Sequence, residues 1–177
     1  MTKPVQSPAI QGAEDGQQAL RFVRLETTWI QALVEMLETV DRRFFHPHPF
    51  SREAIEPLVD SRDEYWLLVK GEAVVGYGML RGWEEGYAIP SLGIAVAASN
   101  RGQGHGERIM HFLHGRAARR RANQVRLTVE AENQPARALY YKLGYRQAAD
   151  GPDAPWFLSL FPASATEYCK SDEMPPP

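Results

Sequence analysis

Cysteine occurs once in the 177 residues, as Cys169. A single thiol closes no internal disulfide and builds no multi-cysteine zinc site, so a reducing compartment is expected, and the cytoplasm is the expected location. Long apolar runs are missing too. No stretch of about 18 consecutive apolar residues is present, which argues against a transmembrane helix and a membrane partner. Met1 to Ala19 mixes Gln, Gly, Pro, Ser and Ala without the run of about 7–15 apolar residues that an export signal needs. Net charge is small: 20 Lys and Arg against 22 Asp and Glu leave −2, which argues against nucleic acid held by bulk charge.

What is present suits a globular chain. The hydrophobic fraction of 44% and charged fraction of 24% exclude collagen-like, coiled-coil and wholly disordered classes. The length fits one domain. It is expected over residues 20–162, between a flexible segment at 1–19 and a C-terminal tail at 163–177.

Leu20 to Leu25 alternates as a short strand, and Thr27 or Thr28 offers an N-cap. Behind them Ile30, Leu33, Val34, Leu37 and Val40 share one helix face, predicting a helix that ends near Arg43. His46-Pro47-His48-Pro49 must be a loop, because neither proline can continue a helix. Ser51 caps a second, short helix through Val59. Tyr65–Val69 and Val74–Leu80 then read as a hairpin around Lys70-Gly71-Glu72, and Ser91–Val96 as an apolar, central strand. A helix from Glu107 to near Arg121 carries Ile109, Met110, Leu113 and Ala117 on one face. The strand Val125–Val129, a helix opened by Pro135 and ended by Gly144, and strands at Tyr145–Ala148 and Trp156–Phe161 complete the series. The fold class is α/β (α+β): a mixed sheet of about seven strands with helices on both faces.

The segment Arg101-Gly102-Gln103-Gly104-His105-Gly106 lies between the apolar strand and an amphipathic helix. Glycines at a helix entrance let the backbone approach an anion, and the free amides with the helix dipole attract phosphate oxygens. The spacing lacks the third glycine of the dinucleotide fingerprint, and no Gly-Lys-Ser/Thr follows.

Downstream, Asn133, Ala136, Leu139, Tyr140, Gly144 and Tyr145 form a second pattern. With Arg101, Gly104 and Gly106, which match [QR]-x-x-G-x-[GA], this chain resembles the GNAT superfamily of acyl-CoA-dependent N-acyltransferases, and most strongly from Ser91 to Tyr145. The resemblance implies a mostly antiparallel sheet and acetyl-CoA as cosubstrate, with no metal. It implies that the loop amides of Arg101, Gly102, Gln103, Gly104, His105 and Gly106 hold the coenzyme pyrophosphate. Main chain at Ile94, Ala95 and Val96 would pair with pantetheine, and Asn133 and Ala136 would lie at the same site. Tyr140 is the expected general acid toward the leaving thiolate. The implied activity is N-acetylation of a primary amine on a small molecule, amino sugar or peptide by direct attack. The alternative is a non-catalytic acyl-CoA-binding or regulatory module. A homodimer is left open.

The base is a departure from the family, because Ser91 to Val96 contains no Asp or Glu. Glu84 and Glu85 are the candidates, in a loop where Trp83 and Tyr87 would complete an acidic and aromatic rim for a cationic amine. His46, His48 or an amine arriving neutral are the other routes, and Glu84 and Glu85 also read as a solvated hairpin tip. His46 and His48 lack a third partner for a metal. His111 and His114 read as exposed helix positions, and Arg116, Arg119, Arg120 and Arg121 as complements to a helix dipole.

Overall fold

The computed structural model describes residues 19–149, 151 and 154–161. Nearly all of the expected N-terminal segment, the tail and Cys169 lie outside the described residues. Seven strands form one sheet: β1 (Leu20–Arg24), β2 (Glu64–Lys70), β3 (Ala73–Arg81), β4 (Ser91–Val96), β5 (Gln124–Leu127), β6 (Arg146–Gln147) and β7 (Trp156–Ser159). Their order is β1-β2-β3-β4-β5-β7-β6, antiparallel throughout except for β4 beside β5. The helices are α1 (Ile30–Glu38), α2 (Arg52–Ile55), α3 (His105–Arg119) and α4 (Gln134–Lys142).

The sheet separates two cores. On one face, Ile30, Leu33, Met36 and Leu37 of α1 pack with Leu67, Val69, Tyr77, Met79 and Ala95. On the other, Ile109, Met110, Leu113 and Ala117 of α3 pack with Leu68, Leu80, Leu92 and Tyr140. Each fully buried aliphatic side chain supplies about 2 kcal/mol of transfer free energy, so these stripes hold both helices to the sheet. Gly76 and Gly78 of β3 set the height of α3. A Cβ at Gly76 would stand 2.6 Å from Ile109 Cδ1, and one at Gly78 would stand 2.7 Å from Ile109 Cγ2 and 3.0 Å from Leu113 Cδ1.

Several boundaries differ from the sequence expectation for local reasons. Neither Thr27 nor Thr28 caps α1: they fall in a 3-10 turn, Thr27–Trp29, and no side chain caps the helix. That helix stops at Glu38 rather than near Arg43. The Asp41 carboxylate accepts from the Arg43 amide at 3.0 Å and from its guanidinium at 2.6 Å, a local turn that competes with helix. The second helix is four residues long and relaxes into a 3-10 turn at Glu56–Leu58, where Pro57 removes a donor. β5 ends at Leu127, two residues before Val129, and the last two strands are likewise shorter than expected.

Candidate active site

The pairing between β4 and β5 is confined to one position. Ser91 lies opposite Arg126, and the Arg126 amide donates to Pro90 O at 3.0 Å; from there the strands diverge. On the far side β4 remains paired to β3, with Val96 opposite Gly76 and the Ala97 amide donating to Val75 O at 3.0 Å. Alternation along a strand then fixes which groups face which neighbour. Gly93, Ala95 and Ala97 turn their main-chain groups to β3, whereas Leu92, Ile94 and Val96 turn theirs to the β5 side. Among the described residues, Ile94 and Val96 have no strand partner there. This corrects the expectation for Ala95, whose peptide groups are committed to β3 and whose side chain is buried in the α1 core.

A 3-10 turn, Ala98–Asn100, joins β4 to the glycine loop. Arg101 bends back so that its Nε donates to Val96 O at 3.4 Å, and Gln103 Nε2 donates to Ser99 O at 3.3 Å. Gly104 is the N-cap of α3, with φ +78° and no side chain to cap the helix, so the first-turn amides are left for water or an anion. Gly102, at φ +74°, and Gly104 both face open space, since a Cβ at either would meet nothing within 4 Å. His105 is the first residue of α3 and is half-buried. Gly106 faces inward: a Cβ there would stand 3.4 Å from Leu139 Cδ2 and 3.6 Å from Ile94 Cδ1. Loop, β4 and α4 therefore meet at this glycine. Glu107, the one acid in the first turn of α3, is neutralised by Lys142 of α4 at 2.7 Å.

Asn133 caps α4 by accepting from the Ala136 amide at 3.4 Å, which places both residues at that helix entrance. Gly144, at φ +91°, ends α4, and Tyr145 N then donates to Tyr140 O. Tyr140 is only 7% exposed, and burial pushes its phenol up to about 12. Its hydroxyl has no hydrogen-bond partner among the described residues. Tyr141 points away and is 57% exposed.

The two glutamates have different surroundings. Asp63 Oδ1 accepts from the amides of Gly82, Trp83 and Glu84 at 3.0, 2.8 and 3.1 Å, which fixes the β3–β4 loop. Within that loop Glu84 is occupied. Its Oε2 accepts from the Arg62 amide at 2.7 Å and from Ser61 Oγ at 3.1 Å, bonds that hold it below the usual carboxylate range. Glu85 instead lines a cleft of about 560 Å³ with Arg81, Arg126, Tyr87, Met79 and Leu127. The expected acidic rim is corrected accordingly. Trp83 turns toward α3 and lies under the Arg120 guanidinium at 3.8 Å, while two arginines share the cleft with Glu85.

Both nitrogens of His48 are engaged. Nδ1 donates to Pro49 O at 2.9 Å, and Nε2 accepts from Tyr77 OH at 3.1 Å. Burial lowers this imidazole's affinity for a proton, consistent with a neutral ring that pins the His-Pro loop to β3. His46 Nδ1 lies 3.1 Å from Arg42 O, at the edge of a second cavity of about 490 Å³. No local pattern singles out Glu64, which is buried and accepts from Arg116 at 2.7 and 3.1 Å and from Trp66 Nε1 at 2.8 Å. Arg116 thus ties α3 to β2 in addition to lying near a helix C-terminus.

His114 also departs from expectation. It is half-buried, its Nε2 shares a 2.9 Å hydrogen bond with Tyr145 OH, and burial pushes it down to about 4. As pH falls below the ordinary histidine value of 6.5, the unfolded chain binds a proton that the folded chain refuses until about pH 4. Stability should fall through that window by about 2 kcal/mol. Urea midpoints between pH 7 and 4.5 should show this slope in the parent and a much smaller one in His114→Gln; equal slopes would remove His114 as the cause.

The sequence profile described as the Acetyltransferase (GNAT) family matches residues 30–145, which include most of both cores, the divergent strands and the loop. The chain belongs to the GNAT acetyltransferase family. Among solved structures, the ribosomal-protein-S18-alanine N-acetyltransferase from Escherichia coli is similar at 22% identity and TM-score 0.66, covering 82% of this chain and 96% of that one. The PaiA N-acetyltransferase from Thermoplasma acidophilum, solved in complex with coenzyme A, is similar at 12% identity and TM-score 0.67, covering 80% and 99%. A protein from Streptococcus mutans UA159, smu.2055, is similar at 20% identity and TM-score 0.68, covering 80% and 99%. At these identities the likeness establishes the GNAT fold. No curated protein sequence matches the chain significantly. Membership implies acetyl transfer on a fold that binds acetyl-CoA. No helix among the described residues is long and apolar enough to cross a membrane.

Proposed function

We propose that this GNAT protein is an acetyl-CoA-dependent N-acetyltransferase that acetylates a primary amine of a small molecule, amino sugar or peptide by direct attack. The observation that carries the reading is the divergence of β4 from β5, which leaves the peptide groups of Ile94 and the amide of Val96 without a strand partner among the described residues, beside the uncapped start of α3. An extended pantetheine arm fits such a strand edge by main-chain hydrogen bonding. Residues Arg101 to Gly106 form a cradle for its pyrophosphate, since Gly102 and Gly104 leave open space and the α3 dipole favours negative charge.

Bound acetyl-CoA supplies an activated acyl group as a thioester. A free amide of Ile94 or Val96 is placed to donate to the thioester oxygen, where negative charge grows as the amine attacks. A C–N bond forms and the C–S bond breaks. Tyr140 holds its proton at neutral pH, because burial raises its phenol, and gives that proton or a hydrogen bond to the leaving sulfur. Glu85, free of the loop bonds that occupy Glu84, receives the ammonium proton directly or through water. Asn133 and Ala136 position α4, and through it Tyr140.

Thiol release from acetyl-CoA against amines, amino sugars, polyamines and peptides, with calorimetric acetyl-CoA binding on the same sample, tests this reading. Turnover with any acceptor is the expected outcome. Binding without turnover would favour a non-catalytic acyl-CoA module, and absence of both would overturn the site assignment.

A further inference from the structure

The cleft beside the divergent strands carries an unusual charge arrangement for an enzyme whose acceptor is a cationic amine. Among the described residues two arginines, Arg81 at the end of β3 and Arg126 in β5, line it with a single carboxylate, Glu85. Among the described residues each arginine side chain makes one hydrogen bond. Arg81 Nη1 donates to Pro47 O at 3.0 Å, and Arg126 Nε donates to Ser91 Oγ at 2.9 Å, with its guanidinium 5.6 Å from the centre of the Tyr87 ring. Among the described residues none of Arg81, Arg126 and Glu85 belongs to an ion pair. A guanidinium has five donors, so both arginines keep N–H groups, already oriented, that no carboxylate among the described residues receives.

A purely cationic acceptor such as a polyamine would meet more repulsion than attraction here. A molecule bearing a carboxylate next to its amine satisfies both signs at once. We infer that the acceptor is a free amino acid, its carboxylate bound by Arg81 and Arg126 and its amine directed to Glu85. Met79, Leu92 and Leu127 supply an apolar wall of the same cleft, which suits an uncharged side chain. The inference rests on the acetyl-transfer reading above and narrows it to one acceptor class. The product is an N-acetylated acid that keeps its carboxylate.

The test compares kcat/KM, read by thiol release, for apolar L-amino acids and for their C-terminal amides, with glucosamine, spermidine and short peptides in the same panel. Acids should exceed their own amides by about tenfold or more, the worth of a charge-assisted hydrogen bond. Arg81→Gln and Arg126→Gln should raise KM for the acids and erase that preference, while Arg126→Lys should retain part of it. Thermal unfolding of each variant checks the fold, and the acid-to-amide ratio of the parent decides the question even if Arg126→Gln, which loses its Ser91 bond, does not fold. Amides equal to acids, or a preference that survives both glutamine substitutions, would overturn the acceptor class. Turnover of sugars, polyamines or peptides without turnover of amino acids would overturn it and leave acetyl transfer standing. No thiol release with any compound, whether or not acetyl-CoA binds, would overturn the acceptor class together with the catalytic reading.

Discussion

Replacing Tyr140 with Phe should lower kcat by about 100-fold or more while acetyl-CoA affinity and stability stay near those of the parent. The expectation follows from what the hydroxyl does and does not touch. Its ring is buried in the core that α3 shares with the sheet, 5.7 Å from the ring of Tyr145, and Phe preserves that packing. The hydroxyl itself bonds to no described residue, so its loss breaks no hydrogen bond among them and should change unfolding free energy by less than about 0.5 kcal/mol. With the phenol pushed up to about 12, the group is a proton donor throughout the neutral range. A drop in kcat with an unchanged calorimetric Kd for acetyl-CoA would assign the hydroxyl to the chemical step. An unchanged kcat would remove it from the reaction and return the leaving group's proton to water.

Much of this arrangement was legible from local pattern. The switch from period-3.6 to period-2 apolar spacing near Glu64 marked the sheet, and the glycines before Glu107 marked a helix entrance open to an anion. Both signals arise within a few residues, where backbone preference and burial act directly. Features set by distant partners were not legible. Whether Ile94 or Ala95 offers its peptide group depends on register with β3 and on where β5 departs, and neither is written in the apolar run Ser91–Val96. Glu84 and Glu85 are adjacent and chemically alike, yet their fates diverge because Asp63 holds the loop so that Glu84 meets Ser61 and Arg62. His114 looked exposed because α3 alone gives no sign of Tyr145 beside it.

The same dependence explains why the charge of the cleft at Arg81, Glu85 and Arg126 differs from the one expected of the loop alone. Trp83, Glu84, Glu85 and Tyr87 lie within five residues and suggest an acidic, aromatic rim. The folded loop removes Trp83 to Arg120 and Glu84 to its own anchoring bonds, and the sheet then brings Arg81 and Arg126 from separate strands to the space that remains. A cleft read from one loop thus has the opposite charge balance to the cleft that the sheet assembles.

Gly104 and Gly106 should respond oppositely to substitution, although both belong to the same motif. Gly104 adopts φ +78°, where a β-branched residue is strained by about 1–2 kcal/mol, and any side chain there would project into the open space assigned to pyrophosphate. Gly104→Val should therefore lower the melting temperature and weaken acetyl-CoA binding by about 100-fold, a loss of about 2.7 kcal/mol. Gly104→Asn separates the two effects, because Asn tolerates the left-handed region yet still carries a Cβ: stability should recover while affinity remains low. Gly106 lies inside α3 at negative φ, and its Cβ would reach Leu139 and Ile94 at ordinary contact distances of 3.4 and 3.6 Å. Gly106→Ala should bind acetyl-CoA as the parent does and gain about 0.5–1 kcal/mol from reduced chain entropy. This contrast gives a physical reason why the motif admits alanine at its last position but not at Gly104. Calorimetric affinities that fall equally for both variants, or for neither, would show that open space at Gly104 is not where the coenzyme's phosphates lie.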